Sequence, residues 1–588
     1  VPDSVLAGHK RSLIRLVLLG FAGALLLFVL AAGVLGVPEE DAAILYSYSR
    51  NLAESGAITY IPAGPRAEGG TDFGWMVSIA VLQKFGIGNH SATALLNAAS
   101  LLLVGLRLGT IAGPDRTALG RPRVLLAWAA FLAVVLGSGL AVSGLGGFST
   151  IAQMALLAVV FSSCLFARFD GLFLGSSLVF ILLRPDSVAY YVACVAPFVL
   201  VQNWRGTWGT RNGGNGVRGA ATRSAALPLL VFALYWLLRS LYFQRAFPLP
   251  FSVKQVQSGG LGAFAERLSQ ELLFTATTQL ALAIVLLVAL LLCATQAQGG
   301  PGREAARPHA HWRVGLLSCG VFFVVQSLYL SRFHLIQNVG DRFHAPLLGI
   351  AAAWLACFLL VRADRLPWGG RRSIASLGLL ATLLLGSVET IVGWRGVVDG
   401  YRNLLRVRQT STTVPLSLAL AELHRRRKVG LMFVTEAGRL SYYSRIPSID
   451  TWGLNTPEFA RAPLQDPRQV ARKRPALINM HVDFARLSLE PLPASALRVG
   501  RDCRRSGDPA TDGYCGWHQM NQAIFQGACQ LGYSMVVVPY RRNAPPEARH
   551  DLFLVDPRSP VAGELEAVLR AHGGTPIREP AALKNYRW

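Results

Sequence analysis

The sequence predicts a polytopic α-helical membrane bundle followed by a smaller α/β domain, and three observations carry that reading. Apolar residues make up 52% of the 588 and charged residues only 15%, with a mean hydropathy of +0.39. A soluble domain carries about a quarter of its residues as charges. Apolar segments recur through residues 1–393, at the roughly 20-residue length that crosses a bilayer as a helix. From 394 onward the chain turns polar, with short apolar runs between Pro-rich turns.

Spans are expected at 13–35, 93–112, 124–142, 150–168, 225–243, 273–294, 313–330, 343–362 and 373–393. Between the fourth and fifth of these, 171–183 and 187–203 form a helical hairpin, broken by Arg184-Pro185-Asp186-Ser187. The first segment is too long for a signal peptide, and an acidic cluster rather than a convincing cleavage site follows it. Lys10, Arg11 and Arg15 precede it, so the positive-inside rule puts the N-terminal side in the cytoplasm. Arg116, Arg121 and Arg123 after 93–112 require that helix to run inward. The stretch 73–87 is then too short to span and reads as a helix lying in the outer interface. Arginine-bearing loops at 204–223, 303–313 and 362–372 fall inside. About eleven spans result, an odd number, which puts residues 394–588 outside.

Within that outer part, VGLMFV (429–434), ALINMH (476–481), SMVVVP (534–539) and DLFLVD (551–556) read as buried strands. Residues 414–427 and 562–571 read as helices, and the alternation predicts a soluble α/β domain. The chain therefore divides into a helical domain at 1–393, with an outer loop and juxtamembrane helices at 38–92, and an α/β domain at 394–588. No internal repeat of the kind that builds transporters from two related halves stands out.

The net charge of +24 raises nucleic acid as a partner. However, the arginines fall in short runs between apolar segments, without a basic stripe interleaved with aromatics. Topology and attraction to lipid or phosphate account for them. Of eight cysteines, Cys164, Cys194, Cys293, Cys319 and Cys357 lie in apolar segments as inert core thiols. Cys503, Cys515 and Cys529 have no zinc-ligand spacing, and a Cys503–Cys515 disulfide would suit an oxidising compartment. No Walker loop, GxGxxG or compelling DxD metal motif appears, which argues against nucleotide-sugar or ATP use. Acids beside a phosphate can recruit a divalent ion, but nothing in the sequence demands one.

The most informative local feature is the acidic pair Glu40-Asp41, just past the first apolar segment. Packing explains such a pair poorly, although both acids can simply cap the helix beginning near Ala42. Arg50-Asn51-Leu52, Glu68-Gly69, Thr71 and Trp75 follow in order.

This stretch resembles the first outer loop of the GT-C glycosyltransferases that take sugars from polyprenyl phosphates, and most nearly the bacterial arabinofuranosyltransferases. Where that family reads DDAYI, RxARNLA and EGYTSxLW, this chain reads EDAAI (40–44), YSRNLA (48–53) and EGGTDFGW (68–75). Glu40 stands for the first Asp, and Asp41 matches the second. Ser143-Gly144-Leu145 resembles the SGLET turn, with Gly146 in place of an acid, and Arg184-Pro185-Asp186 resembles RPEG. YFQRAFPLPFSVK (242–254) resembles YxGxxLPNTxxAK, keeping Pro248 and Lys254 but replacing Asn-Thr with Leu249-Pro250. GDRFHAPLL (340–348) resembles RFLLPLLP, and TEAGRLSYYSRIPSIDTWGLN (435–455) resembles DxGxxxYYxxxxxxDxxGLN, with Glu436 for Asp. The likeness covers about 1–460.

The resemblance implies a GT-C fold and a membrane enzyme with a polyprenyl-phosphate sugar as donor. Glycosyl transfer of this kind needs a carboxylate to deprotonate or orient the acceptor hydroxyl and cations to stabilise the departing phosphate. Asp41, with Glu40 as partner or substitute, is the expected catalytic carboxylate. Lys254, Arg342 and Arg332 are expected at the donor phosphate; a snorkelling lysine and a plain loop arginine are the simpler accounts of Lys254 and Arg332. Arg184 and Asp186 are expected to pair inside the bundle. Tyr48, Glu68, Trp75 and His334 are candidates for the sugar; Tyr48 and Trp75 can instead anchor the interface, and Glu68 can pair with Arg66. His344 reads as a satisfied core residue rather than a metal ligand. The acceptor implied is an envelope glycan or an exported protein such as pilin. The location implied is the bacterial cytoplasmic membrane, with the active site and C-terminal domain periplasmic. The rival reading is a non-catalytic flippase or transporter of lipid-linked sugar.

Overall fold

The computed structural model of the protein describes residues 36–112, 120–136, 138–208, 215–254, 261–278, 306–333, 339–362, 408–482, 515–541 and 549–586. A few isolated positions between 402 and 489 are also described. The expected spans at 13–35 and 373–393, and most of 273–294, lie outside these residues, as do His334, Cys293 and Cys503.

The helical part begins with α1 (Glu40–Ser55), whose first turn carries Glu40 and Asp41 and whose C-terminus is closed by Gly56 in the left-handed conformation. Next come α2 (Phe73–Lys84), α3 (Asn89–Ala112), α4 (Gly120–Leu136) and α5 (Gly139–Leu145). The single span expected at 124–142 is thus two helices. α4 ends at Leu136, and after Ser138 the short α5 starts again. A glycine is required just beyond it, because Gly147 has φ +113° and a Cβ there would lie 2.6 Å from the Tyr46 hydroxyl.

α6 (Thr150–Leu165) is buried along its whole length and forms the axis of the bundle. α7 (Gly171–Leu183) and α8 (Ser187–Trp208) make the expected hairpin, interrupted at 184–186. α9 (Asn215–Phe243), a short α10 (Leu249–Lys254), α11 (Leu261–Thr278), α12 (Ala306–Leu330), a 3₁₀ turn at Val339–His344 and α13 (Ala345–Arg362) complete it. Segments Asn89–Ala112, Thr222–Phe243, Trp312–Leu330 and Arg342–Val361 are long and apolar enough to cross a membrane. On α9, Leu227, Leu230, Leu234, Leu237, Leu238 and Leu241 are exposed. An apolar stripe at this helical spacing, turned outward, suits hydrocarbon rather than water. Arg107 on α3 is fully buried and is neutralised by Asp170 at 2.6 Å, as a buried charge must be.

The C-terminal part is a six-stranded sheet covered on both faces. Its strands are β1 (Met432–Val434), β2 (Ser448–Asp450), β3 (Leu477–Met480), β4 (Ser534–Pro539), β5 (His550–Val555) and β6 (Thr575–Ile577). The order is β2-β1-β3-β5-β4-β6, with β1 parallel to β2 and β3, β5 antiparallel to β3 and β4, and β6 antiparallel to β4. Successive strand residues point to opposite faces. Leu477, Val536 and Phe553 pack with α14 (Thr413–Arg427) and α18 (Ala562–Ala571). Ile478, Val537 and Leu552 pack with α16 (Arg468–Lys473) and α17 (Cys515–Gln530). Burial on both faces explains why the strands read as unbroken apolar runs.

The first of these cores also contains Ile44 and Tyr48 of α1 and Met76 of α2. The α/β domain therefore sits directly on α1 and α2 of the helical part. Four further bonds fix the seam. Arg50 Nη1 donates to the Tyr442 carbonyl (2.7 Å), Asn89 Nδ2 to the Tyr442 hydroxyl (2.9 Å), the Tyr60 hydroxyl to the Ala437 carbonyl (2.5 Å), and the Tyr48 hydroxyl to Asn455 Oδ1 (3.2 Å). Tyr442 belongs to α15 (Arg439–Ser444).

Candidate active site

A cleft of about 810 Å³, part of it open to the outside, lies where α1, the 69–72 segment, the hairpin break at 184, α10, the end of α12 and the 3₁₀ turn converge. The α/β domain reaches its rim with Leu454. Asp450 shapes that rim: its carboxylate accepts backbone N–H bonds from Trp452, Gly453 and Asn455 at 2.9–3.2 Å.

Three cations line the cleft around one aromatic ring. The charged groups of Arg342, Arg184 and Lys254 lie 5.1, 5.7 and 6.0 Å from the centroid of Phe343. Arg342 also stacks 4.1 Å above Phe148 and donates from Nη2 to Asp41 Oδ2 at 2.6 Å. Its Nη1 is buried without a hydrogen-bond partner among the described residues. Burial alone would raise the Asp41 carboxyl, but the Arg342 guanidinium and Lys254 ammonium outweigh it and hold Asp41 below its ordinary value.

Arg184 is bracketed. It donates to Asp186 through Nε (2.9 Å) and Nη2 (3.2 Å), and to Asp72 Oδ1 through Nη1 (2.8 Å). The other Asp72 oxygen accepts from Ser149 Oγ at 2.7 Å, and Gln153 Nε2 donates to that same hydroxyl at 2.6 Å. The expected Arg184–Asp186 pair is therefore present, and Arg184 also faces the cleft. Lys254 forms no ion pair among the described residues. Burial pushes its ammonium below the ordinary lysine value, Asp41 opposing and Arg342 and Arg184 adding to the shift.

Of the residues singled out from the sequence, Asp41, Lys254 and Arg342 meet here. Glu40 does not. It turns to the other side of α1, where it accepts from the Arg439 backbone N–H (2.9 Å) and Nε (2.7 Å). Gly438 permits this approach, since any side chain there would strike the Glu40 carbonyl. Glu40 thus lines a second, smaller cavity with Glu436 and Asp551, beside His481, which bonds Asp551 at 2.8 Å. Burial pushes the Glu436 carboxyl up to about 7 there.

Tyr48 is buried and holds the Gly69 N–H (3.0 Å) as well as Asn455, while Trp75 donates to the Gly147 carbonyl at 3.0 Å. Both act in the architecture of the cleft wall rather than on its surface. Glu68 pairs with Arg239 at 2.5 Å, not with Arg66, which lies over Tyr242. Arg332 is exposed and lies over Phe264, 4.6 Å from the ring centroid. His344 is buried against Glu271 at 2.7 Å. Among the described residues no group of three His, Cys, Asp or Glu is arranged to hold a metal ion.

A family model described as a domain of unknown function, DUF8728, matches residues 407–531, within the C-terminal part. No curated protein matches the sequence. Among solved structures the chain is similar to ArnT from Cupriavidus metallidurans in the apo state, with 15% identity and a TM-score of 0.44 over 92% of this chain and 97% of that one. It is similar to the same organism's ArnT bound to undecaprenyl phosphate at 15% identity and a TM-score of 0.44, over 79% and 93%.

Asp72, which lines the cleft, and Ser149 and Gln153, which are bonded in a chain to it, are absent from the sequence-based expectations. Asp72 lies inside the EGGTDFGW stretch, and an acid between two motif positions is its only sequence signal.

Proposed function

We propose that the protein is a GT-C-type membrane glycosyltransferase that moves arabinofuranose from a polyprenyl-phosphate donor to an acceptor hydroxyl. The observation that carries this reading is the meeting of Asp41 with Arg342, Arg184 and Lys254 around Phe343. A carboxylate faces a cluster of cations in a cleft that opens where an apolar helix bundle meets a polar domain. A lipid-borne phosphate needs such cations, and an acceptor hydroxyl needs such a carboxylate.

The chemistry follows from the charges. The donor phosphate binds at Lys254 and at the spare Arg342 Nη1, with Arg184 behind them. The acceptor oxygen attacks the anomeric carbon and forms the new C–O bond. The bond from that carbon to the phosphate oxygen breaks, and polyprenyl phosphate leaves with the electron pair. The hydroxyl proton passes to Asp41. Held ionised by Arg342, Asp41 is a weak base in the ground state, so it orients the hydroxyl first and takes the proton as the bond forms. The three cations stabilise the charge that gathers on the leaving phosphate. The aromatic residues Phe251, Phe333 and Tyr329 that line the cleft suit an isoprenoid chain. The acceptor is an envelope glycan or an exported protein, and the site faces the periplasm of a bacterial inner membrane.

The test is transfer by purified protein in lipid nanodiscs, with radiolabelled polyprenyl-phospho-arabinofuranose and a panel of arabinan and pilin-type acceptors. Transfer that is lost in Asp41→Asn supports the reading. No transfer by the wild type to any acceptor, with donor movement between leaflets instead, would establish the flippase alternative.

A further inference from the structure

We propose that Glu68 is a positioning residue, gripping both ends of the 244–249 turn so that α10 delivers Lys254 into the cleft. The proposal rests on the reading of Lys254 as a donor-phosphate ligand.

Lys254 sits on the last turn of a six-residue helix and has no ion pair among the described residues to aim it. Its position is therefore set by where the backbone of α10 is placed. Glu68 reaches that backbone twice. Its carbonyl accepts the N–H of Leu249, the first residue of α10, at 3.1 Å. Its carboxylate holds Arg239 Nε at 2.6 Å, and Arg239 Nη1 donates to the carbonyls of Arg245 (3.3 Å) and Ala246 (3.0 Å). One residue thus fixes the beginning of the turn through an arginine and its end through its own peptide.

The surroundings show why the pair matters for placement. Glu68 and Arg239 are buried, whereas residues 244–247 are exposed, so side-chain packing does little to hold the turn. Gln244 has φ +54°, a conformation that an unsupported glutamine rarely keeps. Charges buried in a pair lose hydration that apolar residues would not. Here the forked guanidinium supplies what apolar packing lacks, two directed bonds to successive carbonyls. Glu68 also precedes Gly69 to Asp72, which line the cleft. It therefore couples the wall that carries Asp72 to the helix that carries Lys254.

The experiment compares wild type with Glu68→Gln, Arg239→Lys, Lys254→Met and the Glu68→Gln/Lys254→Met double variant, all in nanodiscs. Steady-state transfer is measured beside the labelling rate of Lys254 by an amine-reactive reagent, read by mass spectrometry. Glu68→Gln is expected to raise the donor KM about tenfold while leaving kcat and the acceptor KM within about twofold. It is expected to add nothing further in the Lys254→Met background and to speed Lys254 labelling several-fold. Should Glu68→Gln fail to fold, Arg239→Lys, which keeps the charge but not the fork, is expected to show the same pattern. An equal rise of donor KM in the Lys254→Met background, or an unchanged labelling rate, overturns the proposal. If Lys254→Met leaves the donor KM unaltered, the phosphate role of Lys254 fails, and the labelling rate alone then decides whether Glu68 places the helix.

Discussion

Glu40 and Asp41 are neighbours on the first turn of α1, yet they serve opposite sides of it: Asp41 meets Arg342 in the cleft, and Glu40 meets Arg439 in the seam to the α/β domain. The two substitutions should therefore separate cleanly. Asp41→Asn removes the proposed proton acceptor and is expected to lower kcat by about 10²–10⁴-fold, with a stability loss of about 1–3 kcal/mol from the weakened bond to Arg342. Glu40→Gln strands Arg439 and weakens the seam, with a stability loss of about 1–3 kcal/mol and kcat within a few-fold of wild type. Transfer assays and thermal unfolding on the same samples check both. A larger kcat loss in Glu40→Gln than in Asp41→Asn would reverse the assignment.

Arg184 offers a test of geometry apart from charge. A lysine there keeps the charge but cannot bond Asp186 through two nitrogens and Asp72 through a third. At least one buried carboxylate is then left short of a donor. Arg184→Lys is expected to cost about 1–3 kcal/mol and to raise the donor KM, whereas Asp186→Asn, which leaves Arg184 bonded to Asp72, should affect stability more than KM. Equal effects of the two on donor KM would remove Arg184 from the phosphate site.

The helices and strands were legible where burial is simple. The hairpin at 171–183 and 187–203 and the strands around 432–434, 477–480, 534–539 and 550–555 are apolar runs closed by clear breakers, so local pattern and final packing agree. The seam was not legible. β2 and β6 have three residues each and, unlike β1, lie in no longer apolar run. The division of labour between Glu40 and Asp41 depends on α15, some 400 residues away, being docked by Arg50, Tyr60 and Asn89. Asp72 escaped notice because its partners, Ser149 and Arg184, come from two other segments. Lys254 and Arg342 were legible only as motif positions; their placement around Phe343 is a product of the fold.

Gly147 carries the wall beside α1. Its φ of +113° is open to glycine alone, a Cβ would press on the Tyr46 hydroxyl, and its carbonyl receives Trp75 Nε1. Gly147→Ala is expected to cost about 1–3 kcal/mol in stability from backbone strain and to disturb both aromatic contacts. Thermal unfolding with Trp fluorescence reads both effects, and an alanine variant with wild-type melting would show that the turn has an easy alternative.

The pH dependence of transfer tests the Asp41–Arg342 pair most directly. In the proposed reaction Asp41 acts as a carboxylate, so activity is expected to fall as pH drops through its pKa, and kcat/KM reports that pKa in the free enzyme. Burial raises this pKa, while Arg342 and then Lys254 lower it, and the cations prevail. The wild-type acid limb is therefore expected below the ordinary carboxylate range. The sign for stability is the same: a depressed folded-state pKa stabilises the protein above the unfolded-state value, and that contribution is lost as pH falls through the folded one. In Arg342→Gln the principal opposing charge is gone and burial governs, so the acid limb should move up to or beyond the ordinary range. Lys254→Met should move it in the same direction by less. An acid limb that stays fixed in Arg342→Gln would mean that another group limits activity in acid and that Asp41 is not the proton acceptor.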